Sequence, residues 1–360
     1  MNADALLAEI TTLTALDAPV GFEEPVLAYV REQLRGCCEQ VEVDVRGNVY
    51  GYQPGSDPDG PRVMVTAHAD EIGFMITSIQ AEGFLRFTKL GQPTDLVLPG
   101  QRVRVITPQG AIDGVIGVKP GHVLTADQAR QVPPLREMYI DVGAQSSAEA
   151  RAWGIEPGTP AVFAGELTAT RNPRRFFGKC VDNRAGVAIV LNTARQLAAE
   201  RLPATRIYAI VVEEEVGLRG AEVAAAHARP DVVLAIDTVP AGGTPDLRSD
   251  DLPWEIGKGP LLKVRETRGL STHRPLRELI RRVAEQFSIP YQLIVDTAGI
   301  TDATSAQQAG GQIAAAVLGL ARRYSHSAVE LFDLDDVVAL AELTSRTVAE
   351  LQTREQLLRI

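Results

Sequence analysis

The feature that most restricts the fold lies in the second half of the chain, where continuous apolar runs alternate with helix-like segments. After Lys179, "AGVAIVLNTARQLAAE" reads as a helix, "RIYAIVV" as a strand, "LRGAEVAAAHA" as a helix and "DVVLAID" as another strand. Further on, Leu276, Leu279, Ile280, Val283 and Phe287 recur at helical spacing, "IAAAVLGL" reads as a strand, and a closing helix follows "DLDDV". Strands that are apolar throughout need cover on both faces, and the helices between them can supply it. The pattern therefore predicts an α/β fold with a mostly parallel sheet flanked by helices.

Ahead of this region the character differs. The first 60 residues predict two helices, 3–16 and about 23–35, then a strand with a turn near "RGNVYG"; "RVMVTAHAD" follows as a strand stopping at His68. From about Gly73 to Thr170, short runs such as "FMITSI", "FLRFTKL", "RVRVIT" and "AVFAGEL" are separated by "GQP", "LPGQ", "KPGH" and "EPGTP". That spacing suits a small β-barrel or sandwich rather than βαβ units. The expected organisation is an α/β unit made of residues 1–70 and 168–360, interrupted by a β unit over 71–167.

A net charge of -10 argues against nucleic acid or an anionic membrane as partner. No apolar run reaches the roughly 18–20 residues that a membrane helix needs. The N-terminal "MNADALLAEITTLTAL" has two acids and no Lys or Arg, unlike a secretory leader, and three cysteines, with Cys37 and Cys38 adjacent, suit neither a disulfide framework nor a zinc knuckle. A cytoplasmic location is the expectation.

In open α/β sheets, ligands sit beyond the carboxyl ends of the strands. The strand from Arg62 runs into His68 and Asp70. "RIYAIVV" runs into Glu213, Glu214 and Glu215, "DVVLAID" into Asp237, and "IAAAVLGL" is followed by "ARRYSHS" with His326. Asp182 precedes a helix in "GKCVDNRAG". Burying unpaired carboxylates costs several kcal/mol, about 2–7 even for a neutral polar group, so cations are expected among them. His, Asp and Glu together suit zinc or cobalt, and two histidines with three or four carboxylates exceed what one catalytic ion needs. Each piece alone has an ordinary explanation: Asp182 could cap a helix, Asp237 could be a turn residue, and His68 could be a hydrogen-bonded core histidine. Glu213 reads as a solvated corner, and His122, His227 and His273 as structural.

The ordered set "TAHADEIGF", "GKCVDNRAG", "VEEEVGLRGA", "AIDT" and "RYSHS", with "GVIGVKPGH", "MYIDVGA" and "GKGPLLKV", resembles the TET-type metalloaminopeptidases, also called glutamyl or deblocking aminopeptidases. The resemblance implies an α/β catalytic domain with an inserted, PDZ-like dimerisation domain. It implies two divalent ions, zinc first and cobalt or manganese as alternatives. Asp182 would bridge them, His68 and Asp237 would complete one position, and Glu215 and His326 the other. Glu214 would be the general base towards the water between the ions, and Asp70 would orient His68. The implied substrates are peptides with a free N-terminus, and the implied assembly is a homo-oligomer, a dimer or a tetrahedral dodecamer built from dimers. Departures occur at Ala328, where the family has proline, and at "GITDA" (299–303), where it has "GGTDA". Arg322 and Arg323 could favour an acidic substrate residue or form surface salt bridges. A related amidase or deacylase, and a catalytically silent scaffold, are the competing readings.

Overall fold

The computed structural model describes residues 2–267, 269–297 and 299–360. Two helices, α1 (Ala3–Thr14) and α2 (Glu24–Arg35), open the chain, followed by β1 (Gln40–Val43), β2 (Val49–Gln53) and β3 (Arg62–His68). Asn2 caps α1 by accepting from the N–H groups of Asp4 and Ala5. The two helices end close to the expected limits.

Six strands then close on themselves: β4 (Gly73–Ile79), β5 (Leu85–Leu90), β6 (Arg102–Thr107), β7 (Gly110–Ile116), β8 (Ile140–Asp141) and β9 (Pro160–Phe163), ordered β4-β5-β8-β7-β6-β9. The short helix α3 (Ser147–Ala152) lies between β8 and β9. Period-2 alternation fills this barrel with its own apolar cluster, in which the Phe74 ring meets Phe87 and Phe163 edge to face at 5.1 Å each. Closure removes the sheet edges, which short alternating strands would otherwise expose.

The remaining chain supplies β10 (Thr168–Ala169), β11 (Arg175–Gly178), α4 (Val181–Leu197), β12 (Thr205–Val211), α5 (Arg219–Ala228), β13 (Val232–Pro240), β14 (Leu261–Arg265), α6 (Arg274–Gln286), β15 (Gln292–Val295), α7 (Asp302–Gln308), β16 (Ala314–Arg322), β17 (Glu330–Asp333) and α8 (Leu334–Glu350). The eight-stranded sheet runs β1-β2-β12-β3-β13-β16-β14-β15. Its four middle strands, β12, β3, β13 and β16, are mutually parallel, whereas β2 and β14 join them antiparallel. All four middle strands are nearly continuous in buried residues, since α1, α2, α4, α6 and α8 cover one face and α5 and α7 the other. Val211 pairs with His68, and Ala235 with Thr66, so that His68 and Asp237 lie at one level. Among the described residues no helix is long and apolar enough to cross a membrane.

Candidate metal and active site

The carboxyl ends of the four parallel strands open into one cavity of about 830 Å³, lined by His68, Asp182, Glu214, Glu215, Asp237 and His326 among others. Loop geometry brings the acids there. Asn48 pins both ends of the turn after β12: its Oδ1 accepts from Val212 N (3.1 Å) and its Nδ2 donates to Gly220 O (3.1 Å). Gly220 packs so closely that an added Cβ would meet Val212 O at 2.3 Å and Asn48 Oδ1 at 2.7 Å. Inside the turn, Asp70, fully buried, accepts from the backbone N–H of Glu214 (3.1 Å) and of Glu215 (3.0 Å). One carboxylate thus fixes two others.

Asp182 precedes the regular part of α4. Its φ/ψ of -77/107 are not helical, and the Asp182–Asn183 peptide is cis. The capping role falls instead to Asn183, whose Oδ1 accepts from Gly186 N at 3.1 Å. Asp182 is left free to face the cavity: Oδ1 is 3.3 Å from His68 Nε2, and Oδ2 is 3.6 Å from His326 Nε2. His68 Nε2 is also 3.7 Å from Asp237 Oδ1, and His326 Nε2 is 3.7 Å from Glu215 Oε2.

Both imidazoles have a defined orientation. His68 Nδ1 lies 3.1 Å from Asp70 O, and His326 Nδ1 lies 3.0 Å from Gln92 O. A carbonyl can only accept, so each neutral ring carries its proton on Nδ1 and turns the Nε2 lone pair into the cavity. Gln92 follows the barrel strand β5, and Lys89 and Gly91 also line the cavity. The barrel therefore contributes to the site.

The electrostatics show a shortage of positive charge. Burial pushes the Glu214 carboxyl well above its ordinary value, reinforced by Asp237, Glu215 and Asp302 and only partly opposed by His68. Burial likewise pushes Glu215 up to about 8, with Asp182 adding to it, and raises Asp237. Asp182 is the exception. Burial opposes its ionisation, but Arg322, His326 and His68 hold it well below the usual carboxylate range. Burial would lower both histidines; the acids more than offset this, holding His68 well above its ordinary value and His326 up to about 9. Protons here do the work that cations can do.

The donor set fits divalent ions. The buried Asp182 Oδ1 has no hydrogen-bond partner among the described residues. Donor atoms of His68, Asp182 and Glu215 lie within 4.8 Å of one another, as do those of His68, Glu214 and Asp237. Nitrogen and carboxylate oxygen are the ligand types of catalytic zinc and cobalt.

The other histidines lie elsewhere. His122 is exposed, His227 pairs with Glu42 at 2.8 Å, and His273 precedes α6. Glu213, half-buried, pairs with Arg46 (3.4 Å) and Arg219 (3.5 Å). Arg322 corrects its sequence reading. It neither lies on the surface nor offers itself to a substrate, because its 2% exposed side chain is occupied by Thr238, Glu330 and Asp182. Arg323 points the other way and donates to Gly242 O and Gly243 O. Sequence reasoning missed Glu330, which accepts from the backbone N–H of both Asp182 (2.9 Å) and His326 (2.9 Å). It also missed Lys263, which is buried under the cavity between Glu266 and Asp296, at 2.9 Å from each. Ala328 packs into the barrel core, and Ile300 of "GITDA" lines the cavity.

Known proteins share this fold. An aminopeptidase from the archaeon Desulfurococcus kamchatkensis superposes with a TM-score of 0.93 at 37% identity, covering 99% of this chain and 97% of its own. The Pyrococcus horikoshii TET1 peptidase, which can assemble into a tetrahedron or a large octahedral shell, gives 0.84 at 31% identity, covering 96% and 99%. The lysyl aminopeptidase of Pyrococcus furiosus is 34% identical over 323 residues, 89% of each chain. Residues 47–343 match the family described as M42 glutamyl aminopeptidase. That match spans most of the chain and a relative above 30% identity covers nearly nine-tenths of it, so the chain belongs to the M42 family of aminopeptidases.

Proposed function

We propose that this aminopeptidase works with two divalent ions, zinc first and cobalt or manganese as alternatives, and removes N-terminal residues from peptides with a free α-amine. The observation that carries the reading is Asp182, one carboxylate with Oδ1 towards His68 and Oδ2 towards His326. His68, Asp182 and Asp237 would hold one ion, and Asp182, Glu215 and His326 the other. Ions held there would supply Lewis-acid polarisation of the scissile carbonyl and favour ionisation of water.

The chain's own groups do the rest. Glu214, bearing a carboxyl in the same cavity, takes the proton from the attacking water and returns it to the leaving amine. Asp70 keeps Glu214 and Glu215 in register through their N–H groups and holds the His68 ring with Nε2 forward. Gln92 does the same for His326 through its carbonyl.

The proposal includes the division of the chain into residues 1–70 with 168–360 as the catalytic unit and 71–167 as an inserted dimerisation unit. The closed barrel with its own core supports the division. Exposed Val115, Val118, Val123 and Val132 on and after β7 support a contact between copies, as does the assembly of the TET1 relative. A homo-oligomer is expected, with no nucleic acid or membrane partner, in the cytoplasm. Light scattering that gives a monomer at micromolar concentration rejects the oligomer.

The decisive experiment pairs aminoacyl chromogenic substrates with N-acetylated counterparts, using chelated enzyme and each metal added back. Cleavage of the free-amine series, restored by two equivalents of metal per chain, is expected. Release of acetate from the acetylated series, without release of chromophore from the free-amine series, would assign a deacylase.

A further inference from the structure

Arg322 ends the parallel strand β16 with its entire side chain enclosed. Its Nε donates to Thr238 Oγ1 at 2.5 Å, its Nη1 to Glu330 Oε1 at 2.6 Å, and its Nη2 to Asp182 Oδ2. The two oxygens of Asp182 are therefore unlike. Oδ1 faces His68 Nε2 and has no hydrogen-bond donor, whereas Oδ2 faces His326 Nε2 and already accepts from a guanidinium.

A carboxylate oxygen presents two lone pairs, so the guanidinium engages one and leaves one. It also brings a permanent positive charge beside any ion that Oδ2 would hold, since Arg does not deprotonate in proteins. Glu330 offsets part of that charge, but it divides its own oxygens between Arg322 and the N–H groups of Asp182 and His326. Among the described residues no arginine or lysine touches Oδ1, whose nearest basic group is the titratable His68 ring at 3.3 Å, and Lys263 is taken up by Glu266 and Asp296.

We propose that Arg322 makes the two ion positions unequal. The position formed by His68, Asp182 Oδ1 and Asp237 binds tightly, while the position formed by Asp182 Oδ2, Glu215 and His326 binds weakly and exchanges with the medium. Arg322 acts through Asp182 and is a positioning residue. The inference rests on the two-ion reading above and concerns only how the ions divide between its halves.

The test is a titration of the metal-free enzyme with Zn²⁺ and with Co²⁺, followed by calorimetry and by the visible absorption of Co²⁺. Metal per chain after dialysis gives the tightly held fraction. The wild type should fill in two steps at least tenfold apart in Kd and keep about one ion per chain. Arg322→Met combined with Glu330→Gln removes both of these charges together, so that Glu330 is not stranded and Asp182 alone loses its arginine. In it the second Kd should tighten at least tenfold while the first stays within threefold. Arg322→Lys, which keeps the charge, should return the second step towards the wild-type value. Equal steps in the wild type, or a double variant whose steps do not move, overturn the inference and leave the two-ion reading intact. Weakening of both steps together assigns Arg322 a structural role and overturns it as well. A wild type that takes up one ion at saturation refutes the two-ion reading itself.

Discussion

Replacing Glu214 with glutamine separates proton transfer from metal binding. The substitution keeps the size of the side chain, and the turn that carries it is held by backbone bonds: Asp70 accepts from Glu214 N and Glu215 N, and Asn48 clamps Val212 and Gly220. Geometry should therefore survive. What disappears is a group able to take a proton, an effect of about 10²–10⁴ in rate, or about 2.7–5.4 kcal/mol of barrier at about 1.36 kcal/mol per decade. Loss of kcat by that factor is expected, with metal per chain unchanged because His68, Asp182, Glu215, Asp237 and His326 remain. Stability of the metal-free form should not fall. Burial and neighbouring acids raise the Glu214 carboxyl, so the folded state binds its proton more tightly than the unfolded state and loses stability as pH rises above the ordinary glutamate range; glutamine removes that loss. The assays are turnover of an aminoacyl p-nitroanilide, elemental analysis of dialysed protein and thermal melting of the chelated form. Activity within threefold of wild type would refute the base assignment. Loss of an ion would instead make Glu214 a ligand, a role its closeness to His68 and Asp237 permits.

Lys179→Met should destabilise the fold by about 3 kcal/mol in urea, because it takes from the buried Glu71 the Lys179 Nζ that now lies at 2.8 and 2.9 Å, leaving it Arg184 and the Ala18 N–H; a loss under about 1 kcal/mol would contradict that. Asp336, pushed up to about 6 by burial and by Asp333 and Asp335 despite accepting from Gly257 N and Gly259 N, should make wild type lose about 1–3 kcal/mol relative to Asp336→Asn between pH 4 and pH 7. The sign follows from a raised carboxyl, which binds its proton more tightly when folded, and a pH-independent difference would refute it. Gly220→Ala should cost about 1–3 kcal/mol and also lower kcat, since the clash with Val212 O displaces the turn that bears Glu214 and Glu215; a variant with wild-type melting and rate would show that the turn yields.

Much of the candidate site was legible because one rule locates it: polar residues that follow parallel strands meet in one cavity beyond the carboxyl ends. His68, Asp70, Glu214, Glu215, Asp237 and His326 all follow from locating apolar strands, which the buried runs in β3, β12, β13 and β16 make conspicuous. The same rule points at Arg322, the last residue of β16, yet the pair Arg322–Arg323 reads as facing an acidic substrate residue or as forming surface salt bridges. Successive strand residues face opposite sides, and nothing local says which arginine faces inward. Asp182 and Asn183 present a similar ambiguity, because either could cap α4 and the structure gives that task to Asn183.

The sequence by itself determined the layered architecture and the kinds of ligand atom available, because apolar periodicity dictates burial and each side chain carries its own chemistry. Tertiary structure alone decided the pairings: which oxygen of Asp182 meets which histidine, that Gln92 from the barrel orients His326, and that Arg322 and Glu330 sit behind the acids. These contacts join residues up to 234 positions apart, and their selection depends on strand register and loop packing. Both are properties of the whole folded chain, which no local stretch of sequence contains.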